Sequence, residues 1–215
     1  MASAHSLWQR MADWALLAGL LSIAAPAGYW ITMTQFVRMP GNVLPDMTAY
    51  PWLTSALWIA TGSLIGPVME QAGFWGYGQV MLQECFSPAT AIVIVSILFA
   101  FGPHPPIGAA LWPKLVFYFL ASATFGAMAF FTNSILPSLV IHIAGDLIFF
   151  TAIWPHDTAR PLVAVSGADV WFWIHVAQAG GFTFLAVRAF GQLAKVAGRV
   201  PPAPIRISER CANGE

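Results

Sequence analysis

The chain alternates long apolar runs with short polar or proline-rich breaks. A helix that crosses the hydrocarbon core of a bilayer needs about 20 mostly apolar residues, and most of the runs have that length. The first extends from near Ala12 to Met33. A loop carrying Arg38, Pro40, Gly41, Pro45 and Asp46 separates it from the second, which opens near Pro51 and stays apolar to Met69. Glu70 and Gln71 then follow without a turn signal, so that helix, or a kinked continuation of it, is expected to reach about Leu82. The third run, Pro88 to Phe101, is short. It stops at Gly102-Pro103-His104-Pro105-Pro106, where prolines remove backbone donors and clash with the preceding turn. A fourth run covers Ala109 to Phe131, with Lys114 near its start; a fifth covers Ser134 to Trp154 and a sixth Asp169 to about Ala194. The pattern predicts an all-α, polytopic transmembrane helical bundle of about six spans, seven as the upper count. No internal repeat is visible, so residues 1–200 are expected to form one domain. Residues 201–215, Pro-rich and polar, are expected to form a flexible cytoplasmic tail.

Composition sharpens this. Hydrophobic residues make up 58% of the chain and charged ones 8%, against about 25% charged in a soluble domain. Ten Trp and sixteen Phe fit a protein whose aromatic rings sit at membrane interfaces. Nine basic and nine acidic residues cancel, which argues against a nucleic-acid partner. Cys85 and Cys211 lie far apart and lack ligand spacing, so neither a disulfide framework nor a cysteine metal site is expected. The first apolar run is too long for a signal peptide and is kept as a span. Arg188, Lys195, Arg199, Arg206 and Arg210 cluster at or beyond the last run, which places the C-terminus in the cytoplasm; six spans bring the N-terminus, with Arg10, to the same side. The expected location is a bacterial inner membrane.

Against this background the ionisable residues within apolar segments stand out, because a charge in the bilayer is costly and usually faces a cavity or a partner. They are Glu70, His104, His142 and Asp146, with His175 as a weaker case. His142 and Asp146 are four apart and share a helical face. For His175 the expected role is one hydrogen bond to a neighbouring helix. A glutamate and two histidines from three segments could activate water and stabilise an oxyanion; equally, they could bind a metal as a His/carboxylate set. The H-E-x-x-H signature of zinc proteases is absent.

Three stretches carry a family resemblance. Gly66-Pro67-Val68-Met69-Glu70-Gln71-Ala72-Gly73-Phe74-Trp75-Gly76-Tyr77 resembles the first motif of the CAAX-protease and bacteriocin-processing (CPBP) family, Pro-x-x-Glu-Glu-x-x-x-Arg-Gly. Leu98-Phe99-Ala100-Phe101-Gly102-Pro103-His104 resembles the second, Phe-x-x-x-His. The segment from Gly126 to Asp146, ending His142-Ile143-Ala144-Gly145-Asp146, resembles the third and matches best. The likeness covers about residues 51–150. It implies an intramembrane endopeptidase that hydrolyses a peptide bond of a hydrophobic or membrane-associated peptide or protein, with no cofactor and no metal. By carry-over Glu70 is the base that activates water, His104 helps hold that water, and His142 with Asp146 stabilises the oxyanion. Gln71 and Trp75 replace the motif's second glutamate and its arginine, and Ala100 replaces its Phe. Removing one partner of a buried ion pair is strongly destabilising, whereas replacing both can be neutral. Gln71 and Trp75 therefore read as an uncharged supporting pair. The same departures also fit a non-proteolytic member, a binding or assembly factor for a membrane protein partner. The spacings Gly62/Gly66 and Gly73/Tyr77-Gly78 would allow close helix packing and are expected to pack helices within the chain. A metal-dependent membrane enzyme is the third possibility.

Overall fold

The computed structural model describes residues 4–38, 49–103, 111–153 and 160–198, all helix and short connection. His104, the loop residues Pro40, Gly41, Pro45 and Asp46, and the tail 201–215 lie outside the described residues. Helix α1 is Ala4–Thr34; α2 is Trp52–Glu70, which passes through a π-helical segment, Gln71–Gly78, into α3, Gln79–Cys85. Then come α4 Pro88–Phe101, α5 Leu111–Thr132, α6 Leu136–Ile148 with a π-helical end at Phe149–Ile153, the short α7 Val163–Ser166, and α8 Val170–Ala197. The protein is an all-α polytopic membrane bundle. Among the described residues five helices are long and apolar enough to cross a bilayer: Ser6–Thr34, Trp52–Cys85, Leu111–Thr132, Leu136–Ile153 and Val170–Ala197. Pro88–Phe101 is a shorter apolar helix of 14 residues.

Local chemistry sets the boundaries. Ser87 caps α4 by accepting from the Thr90 amide at 3.2 Å, with Pro88 in the first turn, where its missing N–H costs nothing. Asp169 caps α8 by accepting from the Phe172 amide at 2.8 Å. Between α5 and α6 the chain reverses at Asn133, which takes φ 49°, a left-handed conformation that Asn tolerates better than most residues.

The helices alternate in direction. Phe36 meets Phe172, and Gln178 donates to the Ala24 carbonyl at 3.1 Å, so α1 and α8 run antiparallel. Tyr29 donates to the Pro113 carbonyl while Gly19 faces Met128, so α1 and α5 are also antiparallel. It follows that α2, α5 and α8 start at one end of the bundle, and there Trp52, Trp112 and Trp171 are exposed, as in an interfacial aromatic belt. The core between the helices includes Trp75, Val95, Phe99, Phe125, Met128, Ile141 and Leu193.

Three details depart from expectation. Among the described residues a Cβ on Gly62, Gly66 or Gly73 would meet nothing within 4 Å, so there these glycines pack against no other helix, whereas Gly19, Gly28 and Gly126 do. His175 bonds on its own helix, to Gln178 at 3.3 Å, and it is Gln178 that reaches across to α1. Cys85 is disulfide-bonded, where the sequence gave no expectation of a disulfide.

Candidate active site

Glu70 is the last α-helical residue before the π segment. A π-helix carries more residues per turn, is rare, and is frequently found at functional sites. Here the segment keeps Gln71, Trp75 and then Gln79 buried in one row, turned toward α5 and α6. Trp75 donates its indole N–H to the Ser122 carbonyl at 3.2 Å, and Gln79 donates to the Gly126 carbonyl at 3.0 Å, so this row runs parallel to α5. Helix α6 runs the opposite way. The Cβ position of Gly76 lies 3.6 Å from Ile135, while Gln71 and Glu70 face Ser138 and His142. Ser138, His142 and Asp146, spaced by four, form the facing stripe.

His142 is the centre of the arrangement. Its Nε2 lies 3.6 Å from a Glu70 carboxylate oxygen and 3.8 Å from an Asp146 carboxylate oxygen. These separations exceed a direct hydrogen bond and suit a contact that a bridging water or substrate oxygen completes. On the other side of the ring, Nδ1 lies 3.4 Å from Gln71 Nε2, and the Ser138 hydroxyl donates to Gln71 Oε1 at 2.9 Å. Phe125 stacks on the imidazole with centroids 4.4 Å apart and planes at 25°. Trp75 and Phe99 approach it edge-on at 6.2 Å and 6.4 Å. Burial is graded across the site: Gln71 is 0% exposed and His142 6%, whereas the Glu70 and Asp146 side chains are 19% and 28% exposed. One edge of the imidazole is thus sealed, and the other, with both carboxylates, opens outward.

Of the residues singled out in the sequence, Glu70, Gln71, Trp75, His142 and Asp146 converge here. His104 lies outside the described residues. Gln71 and Trp75 do not form a side-chain pair of their own. Gln71 bonds to α6, and Trp75 packs among Phe74, Phe99 and Phe125 at centroid distances of 5.8, 5.1 and 5.3 Å. Phe99, rather than Ala100, supplies the aromatic ring on α4 that faces the site. Ser138, Phe125 and Tyr118 were not anticipated. Ser138 extends the four-residue spacing of His142 and Asp146 back by one turn, a signal the sequence did contain. Phe125 and Tyr118, the latter within electrostatic reach of both carboxylates, carried none. Among the described residues no group of three or more His, Cys, Asp or Glu side chains is disposed to hold a metal ion.

Residues 51–148 match the profile of the family described as Rce1-like, Type II CAAX prenyl endopeptidase Rce1-like. The match supports membership of this family through that stretch of the chain. Every converging residue named above lies within the matched stretch, while α1, α8 and the end of α6 fall outside it. Neither a curated protein nor a solved structure matches the chain. The Rce1-like family is one of proteases, and the chain is an integral membrane protein.

Proposed function

We propose that the protein is an intramembrane endopeptidase that hydrolyses a peptide bond of a hydrophobic or membrane-associated peptide or protein, using water activated by Glu70. The observation that carries this reading is the convergence of the Glu70 carboxylate and the His142 imidazole, 3.6 Å apart, at the more exposed edge of a largely buried cluster. Glu70 takes a proton from water as the oxygen attacks the scissile carbonyl, and later delivers that proton to the leaving amine. His142 donates from Nε2 to the developing oxyanion. Asp146 stands beside it. A carboxylate would repel an oxyanion, so in this role Asp146 acts as the protonated acid. His104 is assigned to the attacking water by resemblance alone. Gln71 and Trp75 support the site separately, Gln71 through Ser138 and His142 on α6 and Trp75 through the Ser122 carbonyl on α5.

The test is cleavage of a membrane-embedded peptide by protein reconstituted in vesicles. Glu70→Gln and His142→Ala should each lower turnover by at least about 100-fold while eluting as monodisperse, helical protein. Undiminished cleavage by either variant overturns the assignment. One observation favours a second reading, a binding or assembly factor for a membrane partner: the Gly62, Gly66 and Gly73 face is open. A stoichiometric partner that co-purifies equally with the Glu70→Gln variant, with no cleavage by the unmodified protein, would select it.

A further inference from the structure

His142 must choose which ring nitrogen carries its proton, and two independent features of its surroundings make the same choice. Nε2 faces carboxylate oxygens of Glu70 at 3.6 Å and of Asp146 at 3.8 Å. Glu70 is ionised in its role as base, and a lone pair aimed at its carboxylate is repelled, whereas an N–H is attracted, so this edge favours Nε2–H. On the opposite edge the Gln71 amide nitrogen lies 3.4 Å from Nδ1. An amide nitrogen only donates, so it requires Nδ1 to be the acceptor, and again the proton belongs on Nε2. The amide is held in that sense by Ser138, whose hydroxyl donates to Gln71 Oε1 at 2.9 Å. Gln71 and Ser138 are both 0% exposed, so water does not compete for either contact. Stacked Phe125, with edge-on Trp75 and Phe99, then fixes the plane of the ring.

We propose that Gln71 and Ser138 are positioning residues that hold His142 as the neutral Nε2–H imidazole, with its one donor aimed at the open side of the pocket. The catalytic consequence rests on the hydrolase reading above; the tautomer itself, required by the Gln71 amide, does not. A glutamate at position 71, as in the usual motif, could only accept from the ring and would place a proton on Nδ1. The glutamine is thus a switch of donor direction rather than a loss of charge alone. Ser138 also lies 2.9 Å from the Ile135 carbonyl. Were its single proton committed there, the amide would reverse and accept from Nδ1–H. The two arrangements are chemically distinct and can be separated by measurement.

The experiment is nitrogen NMR of ring-labelled histidine in the full chain reconstituted in nanodiscs near neutral pH. The chain has five histidines, and the His142 signals are assigned by their loss in His142→Gln. The expected result is a protonated Nε2 with an unprotonated Nδ1. Gln71→Glu should move the proton to Nδ1. It should also lower kcat by at least about 100-fold with little change in KM, while Ser138→Thr, which keeps the hydroxyl, should retain both tautomer and turnover. A protonated Nδ1 in the unmodified protein overturns the proposal, and that spectrum decides the matter even if a variant fails to fold. An unchanged tautomer in folded Gln71→Glu also overturns it. If the Nε2–H form is found but Glu70→Gln still cleaves at full rate, the assignment of Glu70 as base falls and the positioning pair stands.

Discussion

The close approach of α1 and α8 at Gly28 offers a direct test of how the bundle is assembled. A Cβ built on Gly28 of α1 would lie 2.8 Å from the Ala179 amide nitrogen, 3.1 Å from the His175 carbonyl oxygen and 3.2 Å from the Ala179 Cα. All three are backbone atoms of α8, so no rotamer change relieves the clash. To reach an ordinary contact of 3.4 Å the two helices must separate by about 0.6 Å at this point. Such overpacking costs about 1–3 kcal/mol. On α2 the same change at Gly62 or Gly66 meets nothing within 4 Å, so only the helix-propensity gain remains, about 0.5–1 kcal/mol in favour of Ala. That gain is common to all three sites and cancels in the comparison, leaving Gly28→Ala about 1–3 kcal/mol worse than Gly62→Ala. For a chain of this length the gap corresponds to about 2–12 °C in the unfolding midpoint. The assay is thermal unfolding in one detergent, followed by circular dichroism, with all three variants at equal protein-to-detergent ratio. Equal midpoints for Gly28→Ala and Gly62→Ala would refute the described α1–α8 contact. Destabilisation at Gly62 or Gly66 instead would show that the open α2 face is covered by a partner.

Asp146→Asn keeps a donor of the same shape and should retain most turnover, whereas Asp146→Ala should lose about 10- to 100-fold; equal losses in steady-state cleavage assays would remove Asp146 from the oxyanion group. Phe125→Leu keeps an apolar side chain but not the face stacked on His142, a contact worth about 0.5–1.5 kcal/mol, so turnover should fall about 2- to 10-fold with little change in thermal midpoint. Trp75→Arg alone buries an unpaired guanidinium at a position 1% exposed and should cost at least about 3–5 kcal/mol. Adding Gln71→Glu should recover part of that loss in the same thermal assay, and strictly additive losses would show that the two positions do not act as a unit.

Much of the fold could be read from hydropathy because, in a bilayer, every backbone polar group must be satisfied within its own helix. A long apolar run therefore has little choice of conformation, and Pro88–Phe101 was found with both ends as expected because Ser87 and the Gly102-Pro103 break punctuate it. Helix ends without such punctuation were misjudged. Helix α1 starts at Ala4, eight residues before the apolar run suggested, because polar residues continue a helix freely once it leaves the hydrocarbon. The π segment could not be foreseen. Its register depends on Trp75 and Gln79 finding the Ser122 and Gly126 carbonyls on α5, and tertiary partners of that kind leave no trace in local spacing. Nor do the glycines announce which of them face a neighbour: Gly62 and Gly28 sit in equally apolar runs, and only the second touches backbone.

The site was legible where its chemistry repeats along one helix and illegible where it is assembled between helices. His142 and Asp146 could be paired from their spacing, and Ser138 lay one further turn back on the same stripe. What spacing could not convey is that this stripe meets a second one, Gln71 and Trp75, of opposite direction. Because the two stripes meet, the loss of the motif's glutamate and arginine takes on a different meaning. An ion pair would have held residues 71 and 75 to each other, within one helix. The uncharged residues instead bind outward, Gln71 to Ser138 and His142 on α6, and Trp75 to Ser122 on α5. In a bilayer, where helices gain little from hydrophobic association, bonds and close packing between helices contribute most of the cohesion. The exchange therefore replaces a contact internal to one helix with three that tie it to its neighbours, and it does so beside the imidazole whose orientation the proposed hydrolysis requires.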